Sequence, residues 1–216
     1  MNYIGVLIEV ITVIIGFFYI KKIKNTVYVE FIYLLMYVAI NEIIAFILVV
    51  NFNFPNDFLY NIYDIITVLF YLYFYRAIIK NKKTKKLINY FSLLFIVSYV
   101  LEYFFLKFNL LTDNASYSPH FGSVLIIIVL ILFLFEIINN EKIVFNLYKS
   151  IIFWISIGLL LFYVGSIPIF ISKEIMSYNI TYQYILFGLN LIMYGCFILG
   201  FILSKKEYNY IDHGEL

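Results

Sequence analysis

Seven apolar stretches, each long enough to form a helix that crosses a lipid bilayer, follow one another along this 216-residue chain with only short polar breaks between them. A spanning helix takes roughly 20 apolar residues, and runs of about that size occupy 3–20, 27–50, 58–79, 87–106, 121–138, 148–171 and 181–203. The breaks have the length of turns between antiparallel neighbours, and two carry proline: Asn51-Phe-Asn-Phe-Pro-Asn-Asp57, and 109–120 with Pro119. The sequence therefore predicts an all-α, polytopic membrane protein: one seven-helix transmembrane domain over 1–206 and a short cytoplasmic tail over 207–216.

Composition narrows the function classes. With 64% of residues hydrophobic and 13% charged, too little polar chain remains for a soluble domain of ~100 residues, which excludes kinase, nuclease and nucleotide-binding modules. A net charge of +2 is too small for direct nucleic-acid binding to be expected, and Cys196, the single cysteine, has no partner within the chain for a disulfide. Phe (24) and Tyr (22) are abundant while Arg76 is the only arginine. That bias toward AT-rich codons weakens any argument resting on one tyrosine or one lysine.

Lysine and arginine orient a polytopic protein, because positive charge near span ends stays on the cytoplasmic side. Thirteen of the fifteen basic residues fall on one face: Lys21, Lys22 and Lys24; Arg76, Lys80, Lys82, Lys83, Lys85 and Lys86; Lys142 and Lys149; Lys205 and Lys206. Only Lys107 and Lys173 fall on the other. The expected N-terminus is outside and the C-terminus cytoplasmic. The first run has no basic flank before it and no small-x-small site after it, so it reads as a retained helix and not a signal peptide.

Ionisable groups at membrane depth are costly, so their positions carry most of the functional information. Glu30 and Glu136 lie beside basic loops and read as interfacial charges paired with nearby lysines. Glu9, Glu42, Asp64 and Glu102 are expected about 8 to 13 Å below the outer surface at 1.5 Å per residue. Without a cation at that level they must be protonated, bind a cation, face water, or accept hydrogen bonds. Helical spacing groups each with polar neighbours: Gly5, Glu9, Thr12, Gly16 and Tyr19; Tyr37, Asn41 and Ala45 beside Glu42; Tyr60, Asp64, Thr67, Tyr71 and Tyr75; Ser92, Tyr99 and Glu102; Gln183, Asn190 and Tyr194. The expected site is an acidic, hydroxyl-rich pocket of Glu9, Glu42, Asp64, Glu102, Asn41, Tyr71, Gln183 and Asn190, open to the outside and suited to a proton, a cation or a small ligand. Hydrogen-bonding glue between helices is the competing explanation, as is close packing for Gly158 with Gly165 and Gly188 with Gly195, each pair seven apart.

Membrane enzymes can be tested by residue type. A seven-helix zinc hydrolase needs about three histidines, and the chain has His120 and His213 in opposite loops. H-E-x-x-H and the G-x-S-G of an intramembrane serine protease are absent, and Tyr63-Asp64 has no G-x-G-D companion. A retinal lysine is missing from 182–204. No catalytic residue, metal or cofactor is expected. The loop Lys80-Asn-Lys-Lys-Thr-Lys-Lys86 is the expected docking face for a cytoplasmic protein or for anionic lipid, through Lys80, Lys82, Lys83, Lys85 and Lys86.

Asn41-Glu42, Leu59-Tyr-Asn-Ile-Tyr63, Phe153-Trp-Ile-Ser-Ile-Gly158 with Phe162-Tyr-Val-Gly165, and Leu189-Asn-Leu-Ile-Met-Tyr194 together resemble a group of small bacterial seven-transmembrane-helix proteins of unknown function. The chain also looks like the sensory membrane modules of bacterial signalling proteins. In size and number of spans it is similar to the multi-spanning membrane accessory proteins of type VI-B CRISPR loci. These resemblances imply a non-enzymatic sensing or regulatory component that acts through a partner, or an accessory that modulates an RNA-targeting defence system. The residues alone leave a proton- or cation-coupled transporter or channel as the alternative.

Overall fold

Each apolar run becomes one helix. The computed structural model describes residues 3–24, 26–107, 109, 113, 115, 117–139, 147–172 and 180–204, and the regular structure among them is helical: α1 (Tyr3–Tyr19), α2 (Tyr28–Phe52), α3 (Asp57–Ile78), α4 (Lys82–Leu106), α5 (Ser118–Ile138), α6 (Ile151–Ser172) and α7 (Ile180–Leu203). All seven have the length and apolar composition needed to cross a membrane. The tail over 207–216 and the basic residues Lys142, Lys173, Lys205 and Lys206 lie outside the described residues.

Local chemistry sets the ends. Helix α4 starts five residues before its apolar run because Asn81 caps it, its side-chain oxygen accepting from Lys83 N (2.9 Å) and Thr84 N (3.5 Å). A short 3-10 turn, Leu147–Lys149, takes the residues where a longer α6 was expected. Left-handed residues, Asn53 (φ 50) and Lys107 (φ 53), terminate α2 and α4. Pro119 sits in the first turn of α5, where its missing N–H costs nothing.

Neighbouring helices close a ring: α1 packs on α2 and α7, α7 on α6, α6 on α5, and α5 on α3, which returns to α2. Helix α4 lies against α3 and α5 from outside. Aromatic rings fill the middle, with Phe31 edge-on to Phe197 at 5.0 Å and tilted against Phe74 at 5.7 Å, and Tyr75 edge-on to Phe133 at 5.2 Å. Large apolar side chains stay exposed along α1 (Ile4, Leu7, Phe18) and α4 (Leu93, Phe104, Phe105).

The α6–α7 crossing depends on glycine, though only partly as expected. A Cβ at Gly158 would fall 2.9 Å from Cys196 Cβ and 3.0 Å from the Met193 carbonyl oxygen, and one at Gly165 would fall 2.6 Å from Leu189 Cδ2. Gly188 and Gly195 meet nothing within 4 Å, so they do not mark packing. Helix α7 presents Leu189, Met193, Cys196 and Phe197 to the glycines of α6, and a large residue on one helix needs a small one only on the other.

Candidate functional site

Counting from the helix ends places the four carboxylates on the same side of the bundle but not at equal depth. At 1.5 Å per residue, Glu102 lies about 6 Å from the end of α4, Glu9 about 9 Å and Asp64 about 10 Å from the starts of α1 and α3, and Glu42 about 15 Å from the end of α2. They divide into three environments.

Glu9 and Glu42 form the first. They lie near one another, and each takes one tyrosine hydroxyl: Tyr194 OH donates to Glu9 Oε1 at 3.2 Å and Tyr60 OH to Glu42 Oε2 at 3.3 Å. The second oxygen of Glu9, Oε2, is buried and has no hydrogen-bond partner among the described residues. Asn41, next to Glu42 and buried, is in the same condition at Nδ2. These groups come from α1, α2, α3 and α7, which the ring brings together because α1 packs on α2 and α7 and α2 packs on α3.

Asp64 forms the second. It lies within electrostatic range of Tyr37 on α2, Tyr99 on α4 and Tyr163 on α6. Tyr37 stacks on Tyr63 (6.5 Å, 15°), and Tyr99 OH is buried without a partner among the described residues. Tyr99 also feels Glu102, so it stands between the second environment and the third.

Glu102 has a different role. Its carboxylate accepts from Tyr117 N (3.2 Å), Ser118 N (2.9 Å) and Ser118 Oγ, and so caps the start of α5. Asn61 completes this corner: Nδ2 donates to the Asp113 carbonyl (2.7 Å) and Oδ1 accepts from Ala115 N (3.0 Å). Asp113 and Ala115 are thereby held against α3, and Tyr117 and Ser118 against α4.

Of the remaining expected pocket residues, Tyr71 is buried on α3, edge-on to Tyr163 at 6.3 Å. Asn190 is half-buried and Gln183 is exposed. Gln183 therefore does not join the buried set, since the inward face of α7 is carried by Met193, Tyr194 and Phe197. Tyr75 extends the polar face of α3 toward the other end, sharing a 2.8 Å hydrogen bond with Ser156 of α6.

That other end carries the lysines. Glu136 accepts from the backbone N–H groups of Lys80 (2.6 Å) and Asn81 (3.4 Å), tying α5 to the α3–α4 turn. Lys22 Nζ donates to the Ser204 carbonyl at 3.3 Å, a cation at the C-terminus of α7. Glu30 lies near the Tyr73 hydroxyl, with Arg76 close by, where the sequence predicted a lysine partner.

Sequence reasoning passed over Asn61, Ser118, Tyr63, Tyr163 and Ser156. Ser118-Pro119 is a helix-start signal that pointed to a capped α5. The tyrosines carried none, because tyrosine is common throughout this chain. Protein-family models, curated proteins and solved structures offer no match to this chain.

Proposed function

We propose that this chain is a multi-pass protein of the bacterial inner membrane, N-terminus outside, that senses a small cationic or protonatable ligand and regulates a cytoplasmic partner. The observation that carries this reading is the incomplete hydrogen bonding of Glu9 and Asn41: buried polar atoms are costly without partners, and a ligand entering between α1, α2, α3 and α7 with a donor for Glu9 Oε2 and an acceptor for Asn41 Nδ2 would supply them. The polar face of α3, from Tyr60 to the Tyr75–Ser156 pair, offers a route by which occupancy reaches the lysine-bearing end. Purification of the full chain in mild detergent should bring down a stoichiometric cytoplasmic protein, with its activity or binding altered in Glu9→Gln. A chain that purifies alone under every condition overturns the reading. The captured partner also separates the two resemblances, since a kinase supports the sensory one and an RNA-targeting nuclease the defence accessory.

The same α3 face favours a second reading, a proton- or cation-coupled transporter, because carboxylates and tyrosine hydroxyls in series suit ion passage. Flux in proteoliposomes lost in Asp64→Asn would promote it. Absence of proton, sodium or solute movement would remove it.

A further inference from the structure

The ligand-sensing reading leaves the turn between α3 and α4 unexplained. Lys82, Lys83, Lys85 and Lys86 occupy the first turns of α4, which has no acidic residue there, so like charge is gathered at the positive end of a helix macrodipole. This arrangement opposes helix formation, yet the turn is held firmly, with Glu136 accepting from Lys80 N and Asn81 N and the Asn81 side chain accepting from Lys83 N and Thr84 N. A firmly held positive corner suits an anion bound from outside.

The face below the lysines identifies the kind of anion. From Lys83, steps of four and three residues reach Leu87, Tyr90, Leu94, Val97 and Leu101, one stripe of α4, and each of these is exposed, between 39% and 52%. The apolar part runs about 21 Å at 1.5 Å per residue, comparable to an extended acyl chain. Lys86 Nζ lies 6.0 Å from the Tyr90 ring centroid, at the boundary between charge and hydrocarbon. A positive head region above an uncovered apolar strip complements an amphiphile, not a soluble acidic protein.

We propose that the α3–α4 turn and the exposed stripe of α4 form a binding site for an anionic phospholipid, with its phosphate at Lys82, Lys83 and Lys86 and its acyl chain along Leu87 to Leu101.

The test uses the full chain in nanodiscs of phosphatidylcholine, with or without phosphatidylglycerol, read by thermal unfolding and by mass spectrometry of retained lipid. Phosphatidylglycerol should raise the unfolding temperature and be retained severalfold over phosphatidylcholine. The Lys82/Lys83/Lys85/Lys86→Gln variant should lose both effects, while Lys21/Lys24→Gln, at the same end, should keep them. If the quadruple variant fails to fold, high salt on the parent reads the same contact, since screening should erase the preference. Equal behaviour in the two lipids overturns the proposal. So does inorganic phosphate stabilising the protein equally well in phosphatidylcholine. Loss of a captured protein partner with lipid retention unchanged in the quadruple variant also overturns it, and would make the turn a protein-docking face. Failure of Glu9→Gln to affect the partner bears only on the sensing reading.

Discussion

Glu102 and Glu9 are both carboxylates in apolar helices on the same side of the bundle, yet one is complete and the other is not. Glu102 receives three donors at the start of α5, whereas Glu9 receives one, and its other oxygen is buried and unpartnered. The difference separates architecture from capacity. A carboxylate whose lone pairs are filled by helix N–H groups holds two helices in register, and little is left over for a ligand. A half-filled one is a poor structural device, because the unpaired oxygen carries a desolvation cost that a packing role does not recover.

The largest effect should come from Glu102→Leu, which leaves the buried Ser118 hydroxyl and N–H without an acceptor and should lower stability by about 2 to 4 kcal/mol in detergent unfolding. If this variant is as stable as the parent, the cap is unimportant and the contrast fails. Gly158→Ala should cost about 1 to 3 kcal/mol, because its Cβ would press on Cys196 and on a backbone oxygen. Gly195→Ala, with open space around it, should be neutral or slightly stabilising, and the pair measured together reports whether the crossing needs Gly158 and not Gly195. Asn61→Ala removes both clasps on the α4–α5 connection and should cost about 1 to 2 kcal/mol, with faster proteolysis of that connection. Tyr75→Phe breaks the bond to Ser156 and should cost nearer 0.6 kcal/mol, the usual worth of a side-chain hydrogen bond between transmembrane helices. Glu9→Gln should be smallest in stability, within about 0.5 kcal/mol, since an amide can still accept from Tyr194. A loss of stability in Glu9→Gln as large as that in Glu102→Leu would place the two carboxylates in one class.

A second contrast runs along the chain from end to end. Where α1, α2, α3 and α7 gather carboxylates, the polar groups are partly unspent. At the lysine-bearing end they are committed to holding turns: Glu136 to the α3–α4 turn, Asn81 to the start of α4, and Lys22 to the end of α7. One end leaves polar atoms over between helices, and the other uses them to keep a charged corner in place.

The number of helices, their limits within a few residues, and the inward faces of α2 and α3 were legible in the residue order. Apolar run length and the 3.6-residue period are local properties, so Thr67, Tyr71 and Tyr75 could be placed on one buried face from spacing alone. Gln183, Gly188 and Gly195 mark where this reasoning ended, because period says which residues share a face but not what the face meets. The partners that distinguish Glu102 from Glu9 lie 15 to 16 residues away in one case and 185 in the other. Whether a buried carboxylate is satisfied depends on donors delivered by other helices. That is decided by which helices the ring brings side by side, and no stretch of sequence carries it alone.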